Sequence, residues 1–316
     1  VMLGLGLFSA AALLFSASPN YPMLLASRVL MGLGAAFIGP VLGALGSSLV
    51  RRELQGSAIA TVLLGLSLAG LVGMPVSAWA AHQWGARGLF LAVGISGLAT
   101  ALLVRLFVPD VAEGESISLR TVGRLLTSIE SLSALLVVFF IAAGVYTTYT
   151  FLSPILRDVF HAGPTAVSTS LVVLGVAEVV GNLFVTRAAR RFSAEQMLVA
   201  GMALLAADIP LLLWAPPSLA WLFVALTLWA FATDTLWPSQ QRRIIEMAPE
   251  RRGISLALTA SFVFFGIGAG SAVGGWVYPH WGYRGLLVCT LAFLGLAGLS
   301  LRASMGYASR GVRAVT

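Results

Sequence analysis

The sequence contains no lysine; all 19 of its basic side chains are arginine. It has one cysteine, Cys289, and three histidines, His82, His161 and His280. A single cysteine excludes an intrachain disulfide and a thiolate metal cluster, and the histidines lie in separate inter-span segments without ligand spacing. No metal or cofactor is therefore expected. Charge of either sign is scarce, at 10% of residues against about 25% in soluble globular domains. No nucleotide-binding glycine loop, nucleophile and base set or appended signalling domain is present, so an enzyme or a membrane sensor is disfavoured.

What fills the chain instead is apolar. Hydrophobic residues make up 59% and the mean hydropathy is +0.95. Apolar runs of about 20 residues read as helices that satisfy their own backbone hydrogen bonds within a bilayer. Ten such spans are expected, at about 1 to 17, 22 to 49, 57 to 81, 88 to 108, 131 to 152, 166 to 186, 194 to 214, 218 to 241, 253 to 278 and 285 to 304. The first ends in FSASPN and resembles a signal peptide in length, but it has no basic leading segment. The fold class is thus an all-α polytopic membrane protein.

The net charge of +7 would suit a nucleic-acid surface, but the arginines are placed otherwise. With the 17 to 22 turn outside, fifteen of nineteen fall on inner segments, only Arg87, Arg157 and Arg284 on outer ones, and Arg28 within a span. This is the positive-inside pattern of a topology signal. It makes the C-terminal tail cytoplasmic and removes nucleic acid as an expected partner.

An internal repeat gives the organisation. At an offset of 197 without gaps, residues 53 to 89 match 250 to 286 at Glu53/Glu250, Gly56/Gly253, Ala60/Ala257, Gly73/Gly270, Val76/Val273, Trp79/Trp276, Trp84/Trp281, Gly85/Gly282, Arg87/Arg284, Gly88/Gly285 and Leu89/Leu286. Both copies run from inside to outside, so the repeat is parallel. The expected domains are an incomplete helical bundle at 1–108, a cytoplasmic linker at 109–130 and a six-helix bundle with a short tail at 131–316. Four spans precede the linker and six follow it. The symmetry implies a parent of six plus six, with two helices expected ahead of Val1.

Several motifs resemble those of the major facilitator superfamily, in its bacterial drug and sugar proton-antiporter branch of arabinose-efflux-like and chloramphenicol-resistance-like permeases. ASRVLMGLGAA carries the R-x-x-x-G-x-G-x-A pattern at Arg28, Gly32 and Gly34; LLGLSLAGLVGMP resembles the antiporter motif through Gly65, Gly70, Gly73 and Pro75. GNLFVTRAARRF resembles a cytoplasmic loop motif through Gly181, Arg187, Arg190 and Arg191. The resemblance implies a secondary transporter working by alternating access, with Arg28 associated with proton coupling.

The helix faces assign roles independently. Gly32, Ala35, Gly39 and Gly46 fall within about 40° of Arg28 around a helix, so this arginine shares a small-residue face. A midplane arginine costs about 2.5 to 3.5 kcal/mol on insertion scales, which a partner in protein or cavity offsets; snorkelling to the outer end is the plain alternative. Ala69, Gly73 and Ser77, and likewise Gly266, Gly270 and Gly274, have small-xxx-small spacing and are expected to pack helices of opposite halves together. Trp84, Trp214, Trp221 and Trp281 read as interfacial anchors.

Three carboxylates lie within spans: Glu178, Asp234 and Asp208. Burial favours the neutral form of a carboxyl, which suits proton exchange. Asp234 shares a stripe with Thr227, Pro238 and Gln241; Glu178 has Asn182 one turn away; Asp208 is near an outer end, where water would reach it. Tyr146, Tyr149, Thr150 and Ser153 follow helical spacing on a cavity wall suited to a moderately polar organic ligand. Together these residues predict a monomeric, multi-pass transporter of a bacterial inner membrane, exporting a small drug-, sugar- or nucleoside-like solute in exchange for protons. A proton-independent facilitator or uptake permease is the alternative.

Overall fold

The computed structural model describes residues 1–48, 61, 65, 68–109, 119–214, 218–247 and 252–313, and all the regular structure among them is helical. Arg51, Arg52, Arg251 and the repeat positions Glu53, Gly56 and Ala60 lie outside the described residues. The chain divides into two compact units, Val1–Glu115 and Ser116–Thr316.

Unit 1 holds α1 (Met2–Ala17), α2 (Tyr21–Ser48) and α3 (Met74–Phe107), the last preceded by a π-helical turn at Ala69–Gly73. Asn20 caps α2, its Oδ1 accepting the Met23 N–H at 3.0 Å. Pro75 stands at the start of α3, directly after the π-helical turn; a proline lacks the N–H that a regular helix would use there, and such widened turns accommodate that loss. α1 packs between the other two through glycines. A Cβ on Gly34 would lie 2.6 Å from the Phe8 backbone nitrogen, and one on Gly94 would lie 2.8 Å from Leu13. Ala11, Ala12 and Met31 form the small core.

Unit 2 holds α4 (Leu119–Thr127), α5 (Ile129–Tyr149), α6 (Leu152–Asp158), α7 (Pro164–Ala188), α8 (Ala194–Trp214), α9 (Leu219–Met247) and α10 (Arg252–Arg313). α4 occupies part of the expected linker, of which residues 110–118 lie outside the described set. The most buried helix is α5, and its main neighbour is α10.

Seven helices among the described residues are long and apolar enough to cross a membrane, where hydropathy counts ten spans. α1, at 16 residues, is shorter than those seven. Residues 57–60, 62–64 and 66–67 of the expected third span lie outside the described residues, and its last part, 74–81, is carried by α3. The last two expected spans are both carried by α10, which turns at Gly282 (φ 61°, ψ −163°); α3 turns likewise at Gly85 (φ 69°, ψ 174°).

These turns explain the repeated W-G-x-R-G sequence. Gly85 and Gly282 are repeat partners, and both occupy a backbone region essentially restricted to glycine. The second glycine of each copy is also dictated, because a Cβ on Gly88 would lie 2.6 Å from Trp84 Cβ and one on Gly285 would lie 2.7 Å from Trp281 Cβ. The tryptophans pair edge to face in both copies, Trp79 with Trp84 at 5.7 Å and Trp276 with Trp281 at 5.1 Å.

The small-residue stripes require correction. Gly266, Gly270 and Gly274, expected to pack against a helix of the opposite half, receive the backbone carbonyls of Phe139, Ala143 and Thr147 on α5 of their own unit. Their spacing announces a close neighbour without saying which. Gly32 and Gly65 have no described atom within 4 Å of where a Cβ would stand, and Gly73 meets only Ala69 of its own segment at 3.9 Å. Among the described residues of unit 1, the glycine of the arginine motif that receives a neighbouring helix is Gly34.

Gly270→Ala should lower the thermal unfolding midpoint of the purified chain, by an overpacking cost of about 1 to 3 kcal/mol. Gly268, with no described atom within 4 Å of a Cβ position, should accept alanine without loss. Equal behaviour of the two variants in a thermal melt would contradict this packing.

Candidate functional site

The site in unit 2 is built from three helices. α5 contributes Tyr146 and Tyr149, whose rings meet edge to face at 5.5 Å. α7 contributes Glu178 and Gly181, and α9 contributes Asp234. Glu178 is within electrostatic reach of both tyrosines and of Asp234. The side chains of Tyr146, Tyr149, Glu178 and Asp234 are all half-buried. Four residues chosen separately from helix patterns are thus brought to one place.

Gly181 explains how the acids approach. Asp234 Oδ2 lies 2.8 Å from where a Cβ on Gly181 would stand, and its Cβ lies 3.4 Å away. Any larger residue would displace the carboxyl. Asp234 Oδ2 is also buried without a hydrogen-bond partner among the described residues. Gly181, which the sequence marks as part of a loop motif, is therefore the floor under Asp234.

The remaining expected solute contacts are dispersed. Asn182 is exposed; Thr227 donates to its own helix at Phe223 O, 2.7 Å; the hydroxyl of Thr150 pairs with that of Ser271 at 2.8 Å. A cavity of about 30 Å³ lies beside Tyr149, lined also by Leu152, Leu212, Leu226, Trp229 and Tyr283. It has room for about one or two waters and is far below the roughly 300 Å³ of a small-molecule site. The polar face of Tyr146, Glu178 and Asp234 is the better ground for a solute.

Arg28 belongs to unit 1 and is exposed, with its guanidinium over the rings of Phe15 and Phe90. Ser77 and Ala35 are half-buried, and Gly70 lies in the π-helical turn.

Asp208 departs from expectation. It is not hydrated at an outer end but 1% exposed, and neither oxygen has a hydrogen-bond partner among the described residues. Its helix position said only how far it stood from the span's end, and burial depends on how α8 packs against its neighbours in the unit, among them α9 through Gly201 against Ala232 and Leu236.

Sequence reasoning also missed the arginines near the C-terminal end of α9. Arg243 is 1% exposed, donating from Nε to Glu195 Oε1 at 3.2 Å and from Nη2 to Ser304 Oγ at 2.7 Å, so it ties α8, α9 and α10. Arg242 donates to the Ala189 and Phe192 carbonyls at 2.7 and 3.1 Å, closing the end of α7. Of the loop-motif arginines, Arg187 donates to Leu183 O in its own helix, and Arg190 and Arg191 are exposed. The signal was the Arg242-Arg243 doublet itself: adjacent residues on a helix point about 100° apart, so one reaches outward and the other inward.

Among the described residues, no group of three or more His, Cys, Asp or Glu is placed to hold a metal ion.

Gly181→Ala should impair solute flux at unchanged protein level, by about fivefold if the displacement costs the lower end of the 1 to 3 kcal/mol typical of overpacking. Added to Asp234→Asn it should cost little more. Vesicle flux equal to the unaltered chain would remove Gly181 from the site.

Comparison with known proteins agrees with this architecture. The sequence pattern of the Major Facilitator Superfamily matches residues 1–155 and 134–310. The inner membrane transport protein YdhP of Escherichia coli (strain K12) is 31% identical over 305 residues, covering 92% of this chain and 76% of YdhP. The MFS-type transporter YbcL of Bacillus subtilis (strain 168) is 28% identical over 275 residues, covering 87% and 70%. Among solved structures, a bacterial homolog of the human lysosomal transporter Spinster has a TM-score of 0.66 at 16% identity, covering 96% of this chain and 82% of that one. The human organic anion transporter MFSD10 (TETRAN) has a TM-score of 0.64 at 18% identity, covering 96% and 76%. The chain belongs to the Major Facilitator Superfamily: it is a multi-pass membrane transporter of small solutes and not an enzyme.

Proposed function

We propose that this member of the superfamily exports a small organic solute across a bacterial inner membrane in exchange for protons, by alternating access. The observation that carries the reading is the convergence of Glu178 and Asp234 beside Tyr146 and Tyr149, with Asp234 Oδ2 buried and unpartnered among the described residues. Two carboxyls sharing a low-dielectric site resist simultaneous ionisation. On this reading a change in solute occupancy or solvent access alters which protonation state of the pair is favoured.

The tyrosines supply apolar faces with hydroxyl tips for the solute, and Asn182 and Thr227 lie on the same two helices as the acids. Arg28 contributes a positive charge within a span of unit 1. Each proton entering down the membrane potential supplies about 2.3 kcal/mol per 100 mV, enough to drive an uphill export of useful size. The arginine distribution supports a cytoplasmic C-terminal tail, and the name of YdhP supports an inner-membrane location. The motif resemblance makes sugars, nucleosides and phenicols the first solutes to screen.

In vesicles of the reconstituted chain, acid on the side opposite the solute should accelerate solute movement. Glu178→Gln or Asp234→Asn, each fixing an uncharged mimic of the protonated form, should remove that acceleration. Flux indifferent to the pH gradient in the unaltered chain would replace the exchanger by a facilitator.

A further inference from the structure

The described residues of unit 1 include no aspartate and no glutamate; their charged side chains are Arg28, Arg87 and Arg105. Arg87 is committed, donating from Nη2 to the Ser18 carbonyl at 2.7 Å, and Arg105 lies in the last turn of α3. Arg28 lies inside the apolar window Tyr21–Ile38. No described carboxylate is within ion-pair distance of it, and no hydrogen bond to it is formed among the described residues.

What holds Arg28 is aromatic. Its guanidinium carbon lies 4.6 Å from the Phe15 ring centroid and 4.2 Å from that of Phe90, and the two rings are themselves 4.2 Å apart, tilted by 45°. Phe15 comes from α1, Phe90 from α3 and Arg28 from α2, so α1, α2 and α3 meet at one side chain. Contact with the rings offers the charge a π face but no hydrogen-bond acceptor of the carbonyl or carboxylate kind, so the five N–H donors of the guanidinium have no such acceptor among the described residues. Space for an acceptor adjoins them: Arg28 is exposed, and Gly32, one turn along, has no described atom within 4 Å of a Cβ position.

A cation fixed by rings, with its donor fork open and no acid in the described part of its unit, matches a planar or tetrahedral oxyanion. We infer that Arg28 binds an anionic group of the transported solute, a carboxylate or phosphate-type oxyanion, and that Phe15 and Phe90 are its positioning residues. This names the solute class for the exchange proposed above and rests on that reading. It also has a direction. A monoanion leaving as a proton enters moves two charges along the inside-negative potential, whereas a neutral solute moves one, so the potential assists export.

Binding and flux test the two readings separately. The full chain is purified in maltoside, which carries no phosphate, and its thermal stabilisation is measured with matched pairs: benzoate and benzamide, phenyl phosphate and phenol, gluconate and glucose. At least one anion should stabilise saturably where its neutral partner does not. Arg28→Gln should weaken that binding roughly ten- to hundredfold, the loss of a charge-assisted bidentate pair, and Arg28→Lys should restore only part. Phe90→Leu should weaken it while Phe90→Tyr, which keeps the ring, should not. A separate arm adds phosphatidylglycerol. Stabilisation by that lipid alone, by neutral members equally, by no anion, or undiminished in Arg28→Gln would each overturn the inference. A failed pH-gradient response with Arg28-dependent anion binding intact would instead overturn only the proton exchange.

Discussion

Unit 2 depends on one contact, the close approach of α10 to α5. At Gly266, Gly270 and Gly274 the α5 carbonyls of Phe139, Ala143 and Thr147 occupy space that a side chain would need. In a bilayer, apolar attraction between helices is weak, and close packing with interhelical hydrogen bonds takes its place. Thr147 donates to Ala143 O at 2.7 Å and to Gly270 O at 3.2 Å, and Thr290 donates to Gly144 O at 2.8 Å. With α5 fixed in this way, Tyr146 and Tyr149 have a defined position against Glu178 of α7. The same device recurs on a smaller scale where Gly181 admits Asp234.

Arginine in a low-dielectric setting is housed in two ways. Arg243 is buried with hydrogen bonds to Glu195 and Ser304, a paired arrangement that fixes three helices; Arg28 is held by aromatic faces with its donors open. The first geometry uses the guanidinium as a cross-link, and a cross-link needs its partners permanently. The second leaves capacity for a partner that comes and goes, which is what transport requires of a binding residue. Asp208 is a third case, buried with neither kind of partner among the described residues; a lone charge in such a place is costly.

Much of this was legible in residues whose type has few uses. The W-G-x-R-G copies announced a repeated turn, because glycine is the one residue suited to the φ of Gly85 and Gly282. Tyr146, Tyr149, Glu178 and Asp234 stood out because polar groups within apolar spans are costly. Arg243 did not stand out as a buried residue, since an arginine at a span's end ordinarily reaches water. Gly181 was legible as a motif residue, while its use as the floor under a carboxyl was not.

The sequence by itself determined the membrane class, the helical state, the parallel repeat and the family, because each follows from local composition and period: an apolar run must close its own hydrogen bonds. Which helices touch was decided only by the tertiary structure. A small-residue stripe permits close approach from any neighbour, so Gly270 meeting α5 and Asp208 lying covered depend on how whole helices pack. Arg28 shows the division within one residue. Its charge and motif are sequence facts, but its clamp comes from Phe15 and Phe90, thirteen residues before and sixty-two after it, brought together only when three helices fold against one another.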